Sequence, residues 1–150
     1  MDDFDRKILL ALQKNARISL TELSKTVHLS LPAVRTRLLK LQDQGYFISF
    51  SAILDPEKFG KGFTCYCLIQ LSGHTAFHEE AFEKFILENQ DILECYRITG
   101  QYEYLLKIIT KSSRRLEELI RKIRAVENVI NTNTLTVLNT LKGELSVKPD

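Results

Sequence analysis

The stretch SLPAVRTRLLKLQDQG, residues 30 to 45, concentrates positive charge in a short span. Arg35, Arg37 and Lys40 are opposed only by Asp43. Among them Val34, Leu38 and Leu41 recur at helical spacing. On a helical wheel this apolar set gathers in a narrow arc. Ala33, Thr36, Arg37 and Lys40 fall on the far side or its edge, and Arg35 flanks the apolar stripe. Such a helix can dock on a core by one face and present a second face, small at its start and basic beyond. A helix entering the DNA major groove needs that layout. Arg and Lys bond phosphates, and Arg also bonds guanine O6 and N7 in a fork. The helix start at Ser30 adds N–H groups that favour a phosphate. Ser30, Leu31, Pro32, Ala33, Arg35, Thr36, Arg37 and Lys40 are therefore the candidate DNA contacts. A solvated amphipathic helix has the same pattern, so periodicity alone leaves both readings open, and Arg37 could instead be a structural residue that ties this helix to its neighbours.

Other reactive side chains fit chemistry less well. Cys65 and Cys67 lie in the apolar stretch GFTCYCLIQL, which reads as a strand, and alternate strand residues share a face. Two thiolates there lack further ligands at a familiar spacing, and an odd count of three cysteines, with Cys95, argues against a disulfide framework. The expectation is buried, inert thiols. His74 and His78 have i, i+4 spacing and could share a helix face, but no carboxylate or thiolate completes a metal set. Neither a metal nor a cofactor is expected.

Three helices must position the basic face. The first runs from about Phe4 to Lys14, with Phe4, Ile8, Leu9 and Leu12 facing in and Asp2 or Asp3 as cap. The second starts at Ser19, where Ser19-Leu20-Thr21-Glu22 forms a capping box. The third starts at Ser30, with Pro32 in its first turn and Gly45 as its stop. Only His28 and Leu29 separate the second helix from that start, so the pair makes a tight helix-turn-helix. A left-handed residue is often needed in such a turn, and His tolerates it better than most. Tyr46 to Leu54 reads as extended, and Asp55-Pro56, Gly60 and Gly62 mark a linker.

Beyond it the signals alternate. Phe63–Leu71 is a strand and 76–89 a helix with Phe77, Ala81, Phe82, Phe85 and Ile86 inward. Ile92 to Thr99 and Tyr104 to Thr110 are strands. Ser112 to Ala125 is a helix with Leu116, Leu119, Ile120 and Ile123 inward, and Val129 to Leu141 is the last strand. The order βαββαβ is ferredoxin-like, with helices on one face of an antiparallel sheet. Its open face, holding Cys67 and Ile69 or their neighbours depending on register, asks for a cover, most simply a second copy. The fold class is α+β: a helix-turn-helix domain over 1–60 and a ferredoxin-like domain over 61–150.

Composition agrees with a soluble folded protein: 150 residues, 44% apolar, 27% charged, net charge +2. Residues 1–60 hold 9 Lys/Arg against 7 Asp/Glu, whereas residues 61–150 balance at 12 of each. No apolar run approaches the roughly 18 residues of a membrane span, and the start MDDFDRK does not read as a signal peptide. The expected location is the cytoplasm.

The N-terminal third resembles the Lrp/AsnC, or feast/famine, transcription regulators. The matching skeleton is Asp5, Ile8-Leu9, Leu12, Arg17-Ile18-Ser19, Leu23, Leu29-Ser30, Val34, Arg37, Leu41, Gly45, Ala52, Leu54-Asp55 and Gly60. Downstream, ECYRITGQYEYLLKI resembles that family's second-domain signature, and NTNTLTVL its last strand. The likeness runs from about Asp3 to Lys142. It implies a winged-helix-like domain that binds double-stranded DNA and a ferredoxin-like domain that binds a small effector, in many members an amino acid. It also implies dimers, built in many members into tetramers or octamers. Two positions depart from the family pattern. His28 stands where Gly is usual, and Glu103 stands where the family's G-x-F-D-Y motif has Asp.

On that resemblance, Gly100, Gln101, Tyr102, Glu103, Thr132 and Thr134 become candidate effector contacts. Glu103 could accept from an ammonium, backbone N–H groups near Gly100 could hold a carboxylate, and Thr132 and Thr134 share a strand face. A tight hairpin with a solvated Glu103 explains the same residues without a ligand. Some tetrapyrrole-processing decarboxylases resemble the family over both domains, so an enzyme is the alternative. No catalytic residue is assigned.

Overall fold

The computed structural model describes residues 1–72, 76–143 and 146–149, for 76–79 the backbone only. The chain forms two compact units: Met1–Ile53 together with Lys142–Asp150, and Leu54–Leu141.

The helical unit holds α1 (Asp3–Lys14), α2 (Leu20–Val27) and α3 (Leu31–Asp43). Asp2 caps α1 in a reciprocal box with Asp5. Asp2 Oδ1 accepts from the Asp5 N–H at 2.9 Å, and Asp5 Oδ2 accepts from the Asp2 N–H at 3.2 Å. At α2 only half of the expected box forms: Ser19 Oγ accepts from the Glu22 N–H at 3.1 Å. The acceptor side chain that makes a full box stands at the start of α1 instead. His28 ends α2 in the left-handed region, φ 56°, as the tight turn requires. Ser24 Oγ then donates to the Leu29 carbonyl at 2.8 Å, fixing the turn into α3. The core comprises Ile8, Leu9, Leu12, Leu23, Val27, Val34 and Leu41. Phe4, expected inward, is 37% exposed, with the Arg37 guanidinium over its ring at 5.5 Å. Gln13 Nε2 donates to Ser146 Oγ at 3.0 Å, which ties the C-terminal residues to this unit.

Residues 46–54, expected to be extended, belong to no strand. A strand needs partners for its N–H and C=O groups, and none of the sheet strands pairs with them. Phe47 packs on the helical core and against Phe50 at 5.0 Å. Pro56–Phe59 forms a 3-10 turn closed by Gly60.

The second unit holds β1 (Phe63–Leu71), α4 (Ala76–Glu88), β2 (Ile92–Arg97), β3 (Tyr104–Thr110), α5 (Ser113–Arg124) and β4 (Val129–Thr136). The sheet order is β2-β3-β1-β4, antiparallel throughout. Register settles which face carries the thiols. Cys65, Cys67, Ile69 and Leu71 face the helices and are buried with Phe82, Leu106, Ile108, Leu116, Leu119 and Ile123. Their neighbours Tyr66 and Leu68 occupy the open face with Leu105, Ile109 and Leu135. Ala81 is exposed although the periodicity put it inward. β4 stops at Thr136 rather than Leu141, because β1 begins at Phe63; the last rung is the Val137 N–H to the Thr64 carbonyl at 3.0 Å.

Candidate nucleic-acid and effector sites

At about 100° per residue, Val34, Leu38 and Leu41 give α3 one buried or half-buried stripe. Pro32, Thr36 and Lys40 lie opposite it and are exposed, as are Ser30, Leu31 and Arg35, while Ala33 is half-buried. Ser30 Oγ accepts from the Ala33 N–H at 3.4 Å, and Thr36 Oγ1 donates to the Pro32 carbonyl at 3.0 Å. Leu39 was not expected on this face. It is 52% exposed there and offers an apolar surface of the kind that meets a thymine methyl.

It is Arg37, not Arg35, that flanks the apolar stripe, and its Nη1 lies 2.6 Å from Asp2 Oδ2 and 2.7 Å from Asp5 Oδ1. The Asp5 side chain is only 5% exposed. Bonds from Asp5 and Asp2 push the Arg37 guanidinium up from its ordinary value, so it stays charged. The Asp5 backbone N–H, then Arg37, hold the Asp2 carboxyl below its ordinary value. Arg37 is thus a strut between α3 and the start of α1, and the opposing charge comes from α1 rather than from Asp43. Arg37→Ala would leave Asp5 buried without its cation, a change of the strongly destabilising kind. The expected result is a melting temperature lower by on the order of 5 °C, read by circular dichroism. DNA affinity per folded molecule is expected to change little.

The second cluster lies at one end of the sheet. Gly100 has φ 118°, a conformation a side chain would strain. The loop closes by the Ile98 N–H donating to the Glu103 carbonyl at 2.9 Å, and the Glu103 N–H donates to the Ile69 carbonyl at 3.0 Å. Glu103 is not merely solvated: its Oε2 accepts from the Leu71 N–H at 2.8 Å, extending the β3–β1 ladder by a side chain. Gln101 is exposed and Tyr102 half-buried. Thr132 and Thr134 do share a face, the one that meets the helices. Thr132 Oγ1 accepts from Arg124 Nε at 2.8 Å, and Thr134 Oγ1 donates to Cys67 Sγ at 3.4 Å. Arg124, which meets Thr132, was not singled out from the sequence. Its signal was the basic last turn of α5, which carries Arg121, Lys122 and Arg124.

Burial pushes the Cys65 thiol up to about 11, with Cys67 adding to the shift, and burial also raises Cys67. Both are protonated at neutral pH and are poor nucleophiles or ligands. Among the described residues no group of three or more His, Cys, Asp or Glu side chains could hold a metal ion. His74 and the His78 side chain lie outside the described residues. A surface cavity of about 530 Å³ lies elsewhere in this unit, lined by Lys61, Asp91, Ser112 and Arg115 among others. Burial would raise the Asp91 carboxyl, but Lys61 at 2.9 Å and Arg115 at 3.0 Å outweigh it and hold it below its ordinary value. That cavity contains none of the expected site residues.

Comparison with known proteins decides the family. Residues 1–42 match the AsnC-type helix-turn-helix domain, and residues 64–147 match the Lrp/AsnC ligand binding domain. The chain belongs to the Lrp/AsnC family. This Lrp/AsnC chain is 36% identical over 143 residues to a proline dehydrogenase transcriptional activator of Rhizobium radiobacter, covering 95% of this chain and 92% of the relative. It is 32% identical over 150 residues to the transcriptional regulator FL11 of Pyrococcus furiosus, covering 99% and 97%. Among solved structures it resembles a Neisseria meningitidis transcriptional regulator in complex with L-Met (TM-score 0.92, 26% identity, 98% and 96% covered). It also resembles AsnC of Escherichia coli (TM-score 0.86, 28% identity, 99% of both chains). The expected α+β class, with an N-terminal helix-turn-helix and a ferredoxin-like second domain, holds. The protein is a DNA-binding transcription regulator. No helix among the described residues is long and apolar enough to cross a membrane.

Proposed function

We propose that this protein binds specific double-stranded DNA through the outer face of α3 and that an amino acid modulates the binding from the sheet end around Glu103. The observation that carries the first half is the division of labour on α3: Arg37 Nη1 is bonded to Asp2 and Asp5, while Arg35, Thr36 and Lys40 stay exposed beside a capped helix start. Ser30, Leu31, Pro32 and Ala33 approach the backbone and bases, and Arg35 and Lys40 meet phosphates. The second half is supported by the placement of Glu103, Gly100 and Thr132 at one end of one sheet. It is supported also by the L-Met complex of the Neisseria relative. A free ammonium would compete with the Leu71 N–H for Glu103 and form a charge-assisted bond, roughly twice as strong as a neutral one.

In this reading residues 1–60 serve DNA and 61–150 serve the effector and assembly. The open face with Tyr66, Leu68, Leu105 and Leu135 packs on a second copy. Dimers built into tetramers or octamers then hold spaced half-sites together, and the effector changes how dimers meet. The protein works in the cytoplasm, without cofactor, and as a regulator rather than an enzyme.

Glu103→Gln keeps an acceptor for the Leu71 N–H but removes the charge. The ratio of DNA affinities with and without the amino acid is expected to fall to about one, measured by fluorescence anisotropy at fixed salt. A variant that keeps the wild-type ratio would remove Glu103 from the effector site.

A further inference from the structure

We propose that Arg124 is a specificity-determining residue of the effector site, selecting an amino acid whose side chain carries a carboxylate. The inference rests on the effector reading above and adds the chemical class of the ligand. Topology brings three things to one end of the sheet: the exit of β1 at Leu71, the loop from Ile98 to Glu103, and the last turn of α5. Within that end, Glu103 and Thr132 flank Ile69 from opposite sides. The Glu103 N–H bonds the Ile69 carbonyl, and Thr132 is the β4 partner of Ile69. Two strand spacings of about 4.8 Å put their backbones roughly 10 Å apart. An amino acid carries its ammonium and its α-carboxylate on one carbon. If Glu103 takes the ammonium, the group best able to span toward Thr132 is the end of the side chain.

What waits there is a cation. Arg124 Nε donates to Thr132 Oγ1 at 2.8 Å, and no carboxylate among the described residues pairs with the guanidinium. Arg37 and Arg115 differ in being tied to Asp2 and Asp5 or to Asp91 and Glu118. Arg124, exposed at the end of α5, is bonded to a neutral hydroxyl instead, so no carboxylate neutralises its charge. One of its five N–H donors is used, which leaves the edge formed by the two terminal nitrogens for a carboxylate. The Thr132 hydroxyl accepts from Arg124 and still has its own proton to donate to the same carboxylate.

Isothermal titration of the full chain with L-glutamate, L-aspartate, L-glutamine, L-asparagine and the other sixteen standard amino acids tests this. Wild type is expected to bind an acidic amino acid at least about tenfold more tightly than its amide, the value of one charge-assisted pair. In Arg124→Gln that acid-to-amide ratio is expected to fall to about one. Arg124→Lys, which keeps the charge but loses the fork, should lie between. An unchanged circular dichroism spectrum confirms folding of each variant. Binding of a non-acidic amino acid in preference, or a ratio that survives Arg124→Gln, would overturn the role of Arg124 and leave the effector reading standing. No binding of any amino acid to wild type would overturn both.

Discussion

Reversing the two free charges on α3, as Arg35→Glu with Lys40→Glu, is expected to abolish selective DNA binding while leaving the helical unit folded. Both side chains are exposed, and neither makes an ion pair among the described residues. Their loss removes no core contact. Each phosphate contact contributes about 0.9 to the slope of log affinity against log salt. Losing two contacts should therefore flatten the slope by about 1.8, and two acidic groups facing phosphates add repulsion. The expected loss is at least about a hundredfold near physiological salt, measured by anisotropy over a salt series. The melting temperature should stay at the wild-type value. That pattern is the reverse of the one expected for Arg37→Ala, which acts on stability. Equal affinity and slope in the double variant would move the interface away from α3.

The second large effect is on the sheet unit. Phe82 is fully buried, and its ring centroid lies 4.9 Å from that of Tyr104, the residue following Glu103. Phe82→Ala leaves a cavity under the start of β3 and costs about 3–5 kcal/mol. The midpoint of urea denaturation should fall accordingly. Any amino-acid response should weaken with it, because Tyr104 then loses the support that fixes the Glu103 carboxylate against the Leu71 N–H. Tyr104 is also held by its hydroxyl donating to Glu83 Oε1 at 3.2 Å, so the loop need not collapse. A cost under about 1 kcal/mol would mean that the site repacks, an outcome well below the usual range for a buried Phe.

The elements were legible where periodicity and caps agreed. Phe63–Leu71 and Tyr104–Thr110 have the same bounds in sequence and structure, and Ser30, Pro32 and His28 mark the helix-turn-helix correctly. Errors fell where a tertiary partner decides. The last strand ends when β1 runs out, not when its own β-branched run does. Residues 46–54 have strand composition but no partner strand among the described residues. The partners of Arg37, Asp2 and Asp5, lie more than thirty residues earlier in sequence, so its ion pairs were not legible there. The wheel placed Arg35 rather than Arg37 beside the core stripe. Glu103 and the two threonines could be singled out only through resemblance. Arg124 had only a basic helix end as its signal, and that does not say that it meets Thr132 across the fold.

The most direct test of the account is selective capture of fragments of the protein's own genome at fixed salt, with and without each amino acid. A small set of fragments is expected to bind well above the rest, with affinity shifted by one amino acid or a closely related group. Weak binding spread evenly over all fragments, unmoved by any amino acid, would contradict it.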